Sequence, residues 1–284
     1  MVDETIRLTT KKDDELQEHR VNPVAARVRM MGWRLLIFVV LIGVWEGCIR
    51  YQMDLFGKKV IDPFFTSQPS AILQRLYEWA VGGQLVQHVP ITILEAFLGF
   101  VIGTAVGGIV GFIFGWFEKV ADLLDPFIIA IYSLPKVALA PLFILWFGIG
   151  IETKIILTAT IVFFLVFYNT YAGVRDVSRE LVDIVRLMGA GTLQVLWRVV
   201  LPSALTVIFV GLRVSVPYAL IGAVVGEMMA SNRGIGFLLT QSTGQFDTAG
   251  AFAALVLLVI ISTILNGIIV ALEKYLLRWK KTQR

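Results

Sequence analysis

The stretch DIVRLMGAGTLQVLWRVVLPSAL, Asp183 to Leu205, breaks an oily chain with two glycines, a threonine, a glutamine and two arginines before a proline restarts the oil. Leu181, Ile184, Val185 and Met188 recur at i, i+3, i+4 and i+7, with Arg179, Glu180, Asp183 and Arg186 on the other face. That spacing predicts a short amphipathic helix. Gly189 and Gly191 end it, and Thr192 is placed to cap a second helix on which Leu193, Leu196, Trp197 and Val200 repeat the pattern. Pro202 suits the first turn of the element that follows. The expected product is a pair of short helices bent at Gly189–Ala190. Their apolar stripes rest on neighbouring helices, with Leu193 and Trp197 as anchors. A connector between helices needs only about 2–8 residues. The much longer segment here reads as a docking element for another protein.

On both sides of this segment the chain is built for a membrane. It has 284 residues, 57% hydrophobic and 16% charged, against about 25% charged in soluble domains. Charge-free runs cover Ala96–Phe117, Ile155–Val174 and Thr248–Leu272, each enough for the roughly 20 residues of a spanning helix. Two further runs are broken only by Lys136 and Arg213, and a weaker one, Met31–Tyr51, holds Glu46. The expectation is an all-α polytopic membrane protein of about six transmembrane helices, near 31–51, 88–116, 126–149, 155–174, 203–229 and 249–273. The organisation expected is a tail at 1–30, a first span at 31–51, and an outer segment at 52–87. A core follows at 88–273, including the bent segment 176–202, and then a basic tail at 274–284. In the outer segment Ile72, Leu73, Leu76, Trp79 and Ala80 share a helical face, as in a helix lying on the membrane interface.

Charge sets the expected orientation. With the N-terminus in the cytoplasm, the outer segments hold only Arg50, Lys58, Lys59, Arg75, Lys154 and Arg233. Apart from the mid-span Lys136 and Arg213, all other lysines and arginines fall inside, so both termini are expected there. The basic pI thus reflects topology rather than nucleic-acid binding. The lone cysteine, Cys48, excludes an internal disulfide and a cysteine-based metal site. With histidines only at 19 and 88, no metal site is expected.

Gly99, Gly103, Gly107, Gly111 and Gly115 recur every four residues, and Glu95 extends the row outward. Such a row lets two helix backbones approach closely, so this face is expected to pack against another span. Lys136 and Arg213 fall near mid-membrane, where charges are costly and face a cavity or a partner. Pro135 and Pro141 flank Lys136 and suggest a discontinuous helix beside a polar path. Two bases at one depth favour an anionic solute. The candidate path residues are Lys136, Arg213, Glu95, Glu227 and Asn169. Alternatively, each base snorkels or pairs with Glu95 or Glu227, and Asn169 bonds a neighbouring helix. The glycine-rich outer segment ASNRGIGFLLTQSTGQFD (230–247) is long enough to meet an external partner or to fold back as a re-entrant loop.

The bent segment resembles the cytoplasmic motif of permease subunits of binding-protein-dependent ABC importers: Glu-Ala-Ala, three residues, Gly, nine residues, Ile-x-Leu-Pro. Asp183-Ile184-Val185 stands at the triplet, Gly189 at the glycine, Val199 at the isoleucine, and Leu201-Pro202 closes it. Only the acid of the triplet is kept. SLPKVALAPLFILWFGIG (133–150) and GLRVSVPYALIGAVVGEMMASNRGIGFLL (211–239) are similar to signatures of the nitrate/sulfonate/taurine branch. The resemblance, over roughly 66–275, implies a type I ABC importer permease fold in a bacterial inner (cytoplasmic) membrane. It implies a homodimer, two ATP-binding subunits docked on the bent segments, and an external solute-binding protein. Asp183, Arg186, Gly189, Ala190, Gly191, Leu201 and Pro202 carry over as the coupling element. ATP and Mg are expected on the partner, with no cofactor on this chain, which has no Gly-x4-Gly-Lys-Ser/Thr phosphate loop. The solute expected is a small anion such as a sulfonate, nitrate or organic acid, or else a vitamin precursor or other ring compound. A membrane-embedded enzyme would need its acids at one depth, but Glu46, Glu95 and Glu227 are spread over three spans. A secondary carrier would often show internal repeats, and none is found.

Overall fold

The structure, a computed structural model, describes residues 23–50, 54–55, 58–59 and 63–278. The readings of the tail at 1–30 and of the last basic residues fall largely outside them. The chain divides into two compact units, 1–71 and 72–284.

In the first unit, α1 (Pro23–Arg50) carries the first span, Val28–Arg50, exposed along its apolar length. Two-residue strands β1 (Asp54–Leu55) and β2 (Lys58–Lys59) pair antiparallel, and α2 (Pro63–Thr66) is one turn. Glu46, the acid inside the first span, accepts from the Ser70 amide (3.1 Å) and hydroxyl (2.9 Å). Ser70 opens α3 (Pro69–Val81), so a carboxylate sits at a helix N-terminus, where it is favoured. From residue 72 on, α3 belongs to the second unit, where Ile72 and Trp79 are buried and Leu76 half-buried, whereas Leu73 and Ala80, expected on the same face, are exposed. Arg75 on this helix pairs with Asp247 at 3.2 Å.

The second unit is built around α4 (Gln84–Trp116) and α7 (Ile151–Arg175). The glycine row faces α7. A Cβ on Gly99 would collide with the Thr158 side chain, and on Gly103, Gly107 and Gly111 it would lie 2.6, 2.6 and 2.5 Å from backbone oxygens of α7. Without a solvent-driven hydrophobic effect, this close approach supplies the dispersion that joins the two helices. At 33 residues, α4 is longer than the expected 88–116 because a Gly82–Gly83 turn, with Gly83 at φ +75°, starts it earlier.

The third span is broken. Here α5 (Glu118–Tyr132) and a 3-10 turn (Lys136–Leu139) leading into α6 (Ala140–Phe147) meet at 75°. Pro135 supplies no amide and its ring clashes with the carbonyl four residues back, so the helix cannot run through. The Lys136 ammonium donates to the Tyr132 carbonyl that the break frees.

After α7 come α8 (Arg179–Leu187), α9 (Thr192–Val195) and α10 (Leu201–Ala230). One π turn, Leu196–Val200, joins α9 to α10, so a single helical span runs Thr192–Ala230. Pro202 sits in the first turn of α10 as expected, and what the spacing does not show is the continuity of that helix with α9. The Leu201 amide reaches back five residues to Leu196, and that widened turn admits the proline ring inside a continuous helix. A short helix, α11 (Ile235–Gly244), is packed back into the unit with Ile235 and Leu238 buried, and α12 (Thr248–Leu276) lies largely exposed. Among the described residues, five long apolar helices and the broken pair give up to six spans.

Candidate functional site

The bent segment is held by a Schellman closure. The Ala190 amide bonds the Val185 carbonyl at 3.2 Å and the Gly189 amide bonds Arg186 at 2.9 Å, with Gly189 at φ +87°. Ser178 caps α8 through the Leu181 amide (3.4 Å). At the next helix the cap is Gly191 rather than Thr192, because the Gln194 side chain turns back to accept from the Gly191 amide at 3.1 Å.

The segment's faces differ from the expected ones. Val182, Val185 and Ala190 pack with buried Val174, Val195, Val200 and Ala204. Leu181, Ile184 and Met188 point outward, and Leu193 and Trp197 are no anchors: they are 68% and 61% exposed. The most exposed are Leu187 and Met188, at 88% and 81%, beside the corner. Periodicity found an apolar stripe, but two share this short helix, and the β-branched valines fill the inner side. Asp183, Arg186 and Gly189 are exposed, Gly191 likewise, and Ala190, Leu201 and Pro202 are half-buried. Asp183 and Arg186 line a groove of about 550 Å³ with Trp116, Arg175 and Arg179.

Of the five path candidates, four are held away from the break in the third span, and the fifth, Lys136, is held at the break by the Tyr132 carbonyl. Glu95 pairs with Lys154 at 3.0 Å, both buried, and Lys154 also donates to Ser231 at 2.8 Å. Glu227 accepts from Thr92 (2.6 Å) and from the Gly236 amide at the N-terminus of α11 (2.6 Å), a position that suits an anion. The Thr92 hydroxyl accepts from the Ile235 amide (2.8 Å), and His88 Nδ1 from the Gly234 amide (3.0 Å). This polar clasp ties α4, α7, α10 and α11 together. Gly234, at φ +109°, lets the backbone close over the Glu227 carboxylate, with which a Cβ would collide. Arg213 pairs with Glu273 of α12 at 3.3 Å. Asn169 bonds the Leu165 carbonyl (2.8 Å) and fills the gap over Gly211.

The expected alternative pairing of Lys136 or Arg213 with Glu95 or Glu227 is therefore corrected: Lys154 and Glu273 take those roles. Sequence reasoning placed Lys154 in a loop and passed over His88, Thr92 and Ser231. Glu95 and Lys154 are each the last charge before a charge-free run, which marks both positions but does not pair them. That leaves Lys136, half-buried at the helix break, beside Tyr132 and Phe164. No ion pair among the described residues involves it.

Residues 99–278 match a family described as the binding-protein-dependent transport system inner membrane component. The chain is 31% identical over 248 residues to the formylaminopyrimidine transport permease protein ThiX of Halalkalibacterium halodurans, covering 87% of this chain and 96% of the relative. It is 32% identical over 246 residues to the taurine transport system permease protein TauC of Escherichia coli, covering 84% and 86%. Its fold is similar to a chain of the inward-facing MetNI methionine ABC transporter, with a TM-score of 0.60 and 19% identity over 70% of this chain and 97% of that one.

Proposed function

This chain belongs to the family of binding-protein-dependent transport system inner membrane components, and on that premise we propose how it works as an importer permease. Two copies form the passage, and two separate ATP-binding subunits, which hold ATP and Mg, dock on the bent segments. An external solute-binding protein delivers a small anion. Both termini lie in the cytoplasm, which puts the bent segment on the side where ATP is.

One observation carries the reading: the apolar ridge of Leu181, Ile184, Leu187 and Met188 stands exposed on a segment whose opposite face is fixed to the spans. An apolar ridge outside the long spans is a surface that a protein partner covers. Fixed backing lets a push on the ridge reach α7 and α10 rather than bend a loop. The anionic solute is supported by Lys136, a mid-span ammonium whose neighbours among the described residues are a carbonyl and two rings rather than a carboxylate.

The test is purification of the tagged chain in mild detergent. The reading expects a co-purifying subunit that hydrolyses ATP. A chain that emerges alone and moves solute without ATP would overturn it. With the complex in liposomes, Lys136→Ala is expected to lower anion uptake while the ATP-binding subunits stay attached.

A further inference from the structure

Helix α7 is the most enclosed span. Beyond its first turn only Tyr168, Ala172 and Arg175 are exposed, all on one strip. Over this strip the break in the third span lays Tyr132, its ring 5.5 Å from that of Tyr168 at 29° and 6.4 Å from that of Phe164. The Lys136 ammonium lies 4.2 Å from the centre of the Tyr132 ring and 5.1 Å from that of Phe164. Toward the other end, Tyr168 meets Tyr171 at 6.4 Å. The Arg175 guanidinium stands 5.6 Å from the Tyr171 ring and donates to its hydroxyl at 2.6 Å. Positions 164, 168, 171 and 175 follow helical spacing, so the rings form a ladder roughly 16 Å long, with Lys136 at one end and at the other Arg175, which is paired with Asp122 at 2.9 Å.

The Lys136 ammonium gives one donor to the Tyr132 carbonyl, and its remaining N–H groups need polar partners inside a membrane, so this strip faces either a wet passage or another protein. We infer that the ladder is a selective part of the passage, favouring a planar, ring-bearing anion over an aliphatic anion of the same charge. The inference rests on the importer reading and adds a solute class to it. The anion meets Lys136, and the ring stacks on Tyr132 or Tyr168 in the offset or edge-on geometry such faces prefer. An aliphatic anion keeps the ammonium contact and loses the stacking. A series of weak sites, rather than one tight site, lets a solute leave as well as enter.

The test uses the tagged full chain in lipid nanodiscs, with whatever subunits it retains, and two matched probes, benzenesulfonate and cyclohexanesulfonate. Binding is read by saturation-transfer NMR. The wild type is expected to favour benzenesulfonate about 5-fold, the scale of one aromatic pair. Tyr168→Leu should abolish the preference and Tyr168→Phe keep it. Lys136→Ala should weaken both probes and Lys136→Arg restore them. Equal binding of the probes by the wild type, or a preference that survives Tyr168→Leu, overturns the inference. So does a Tyr168→Leu change in oligomeric state with no change in binding, because a second copy would then cover the strip. If the preference is missing while an ATP-hydrolysing subunit still co-purifies, the importer reading stands without the ladder. Absence of that subunit overturns the importer reading itself.

Discussion

Gly107 and Gly108 are adjacent residues on α4 with opposite surroundings. A Cβ on Gly107 would lie 2.6 Å from the Phe163 carbonyl oxygen, whereas on Gly108 it would meet nothing within 4 Å. Backbone cannot yield as a side-chain tip can, so Gly107→Ala should destabilise by roughly 2 kcal/mol through overpacking. Gly108→Ala should be neutral, or stabilising by up to about 1 kcal/mol from helix propensity. Thermal unfolding in detergent compares the two. The glycine row was legible because a period of four is a one-dimensional pattern. The Glu95–Lys154 pair was not, because its partners lie 59 positions apart and meet only once α4 and α7 are in register. Lys154→Met should cost about 3–5 kcal/mol by leaving the Glu95 carboxylate buried without its cation. Adding Glu95→Gln should recover much of that loss in the same assay.

The bent segment shows what periodicity settles and what it leaves open. Its glycine corner and both helical pieces follow from spacing and turn chemistry. Which stripe is buried does not, because α8 has one apolar stripe at Leu181–Ile184–Met188 and another at Val182–Val185. Packing against Val174 and Val200 selects the valines. Val182→Asp should therefore lower the unfolding temperature, whereas Ile184→Asp, at an exposed position, should leave it unchanged and weaken subunit binding. A left-handed corner favours glycine, so Gly189→Ala should cost about 1–2 kcal/mol. The π turn was invisible in the sequence. Pro202 does occupy the first turn of α10, but nothing in the spacing shows that α9 runs into it through a widened turn.

At the scale of the whole molecule, hydropathy and charge separate spans from connections but leave their interior breaks undrawn. The third span needed Pro135 to show that a single apolar run is two helices at 75°. The basic residues on one set of connections predict a cytoplasmic C-terminus. A green fluorescent protein fused there should fluoresce, and an alkaline phosphatase fused there should stay inactive; the reverse result would invert the proposed topology. The account as a whole turns on transfer of work from a separate ATPase through the exposed ridge. Its most direct measurement is the ATP-hydrolysis rate that co-purifies with the tagged chain, wild type against the double variant Leu187→Glu/Met188→Glu. Both side chains are exposed, so the variant should fold and insert. The account predicts steady hydrolysis with the wild type and loss of most of it with the variant, at equal recovery of the chain. Equal hydrolysis from both would contradict the ridge as the docking surface, and none from either would contradict the importer itself.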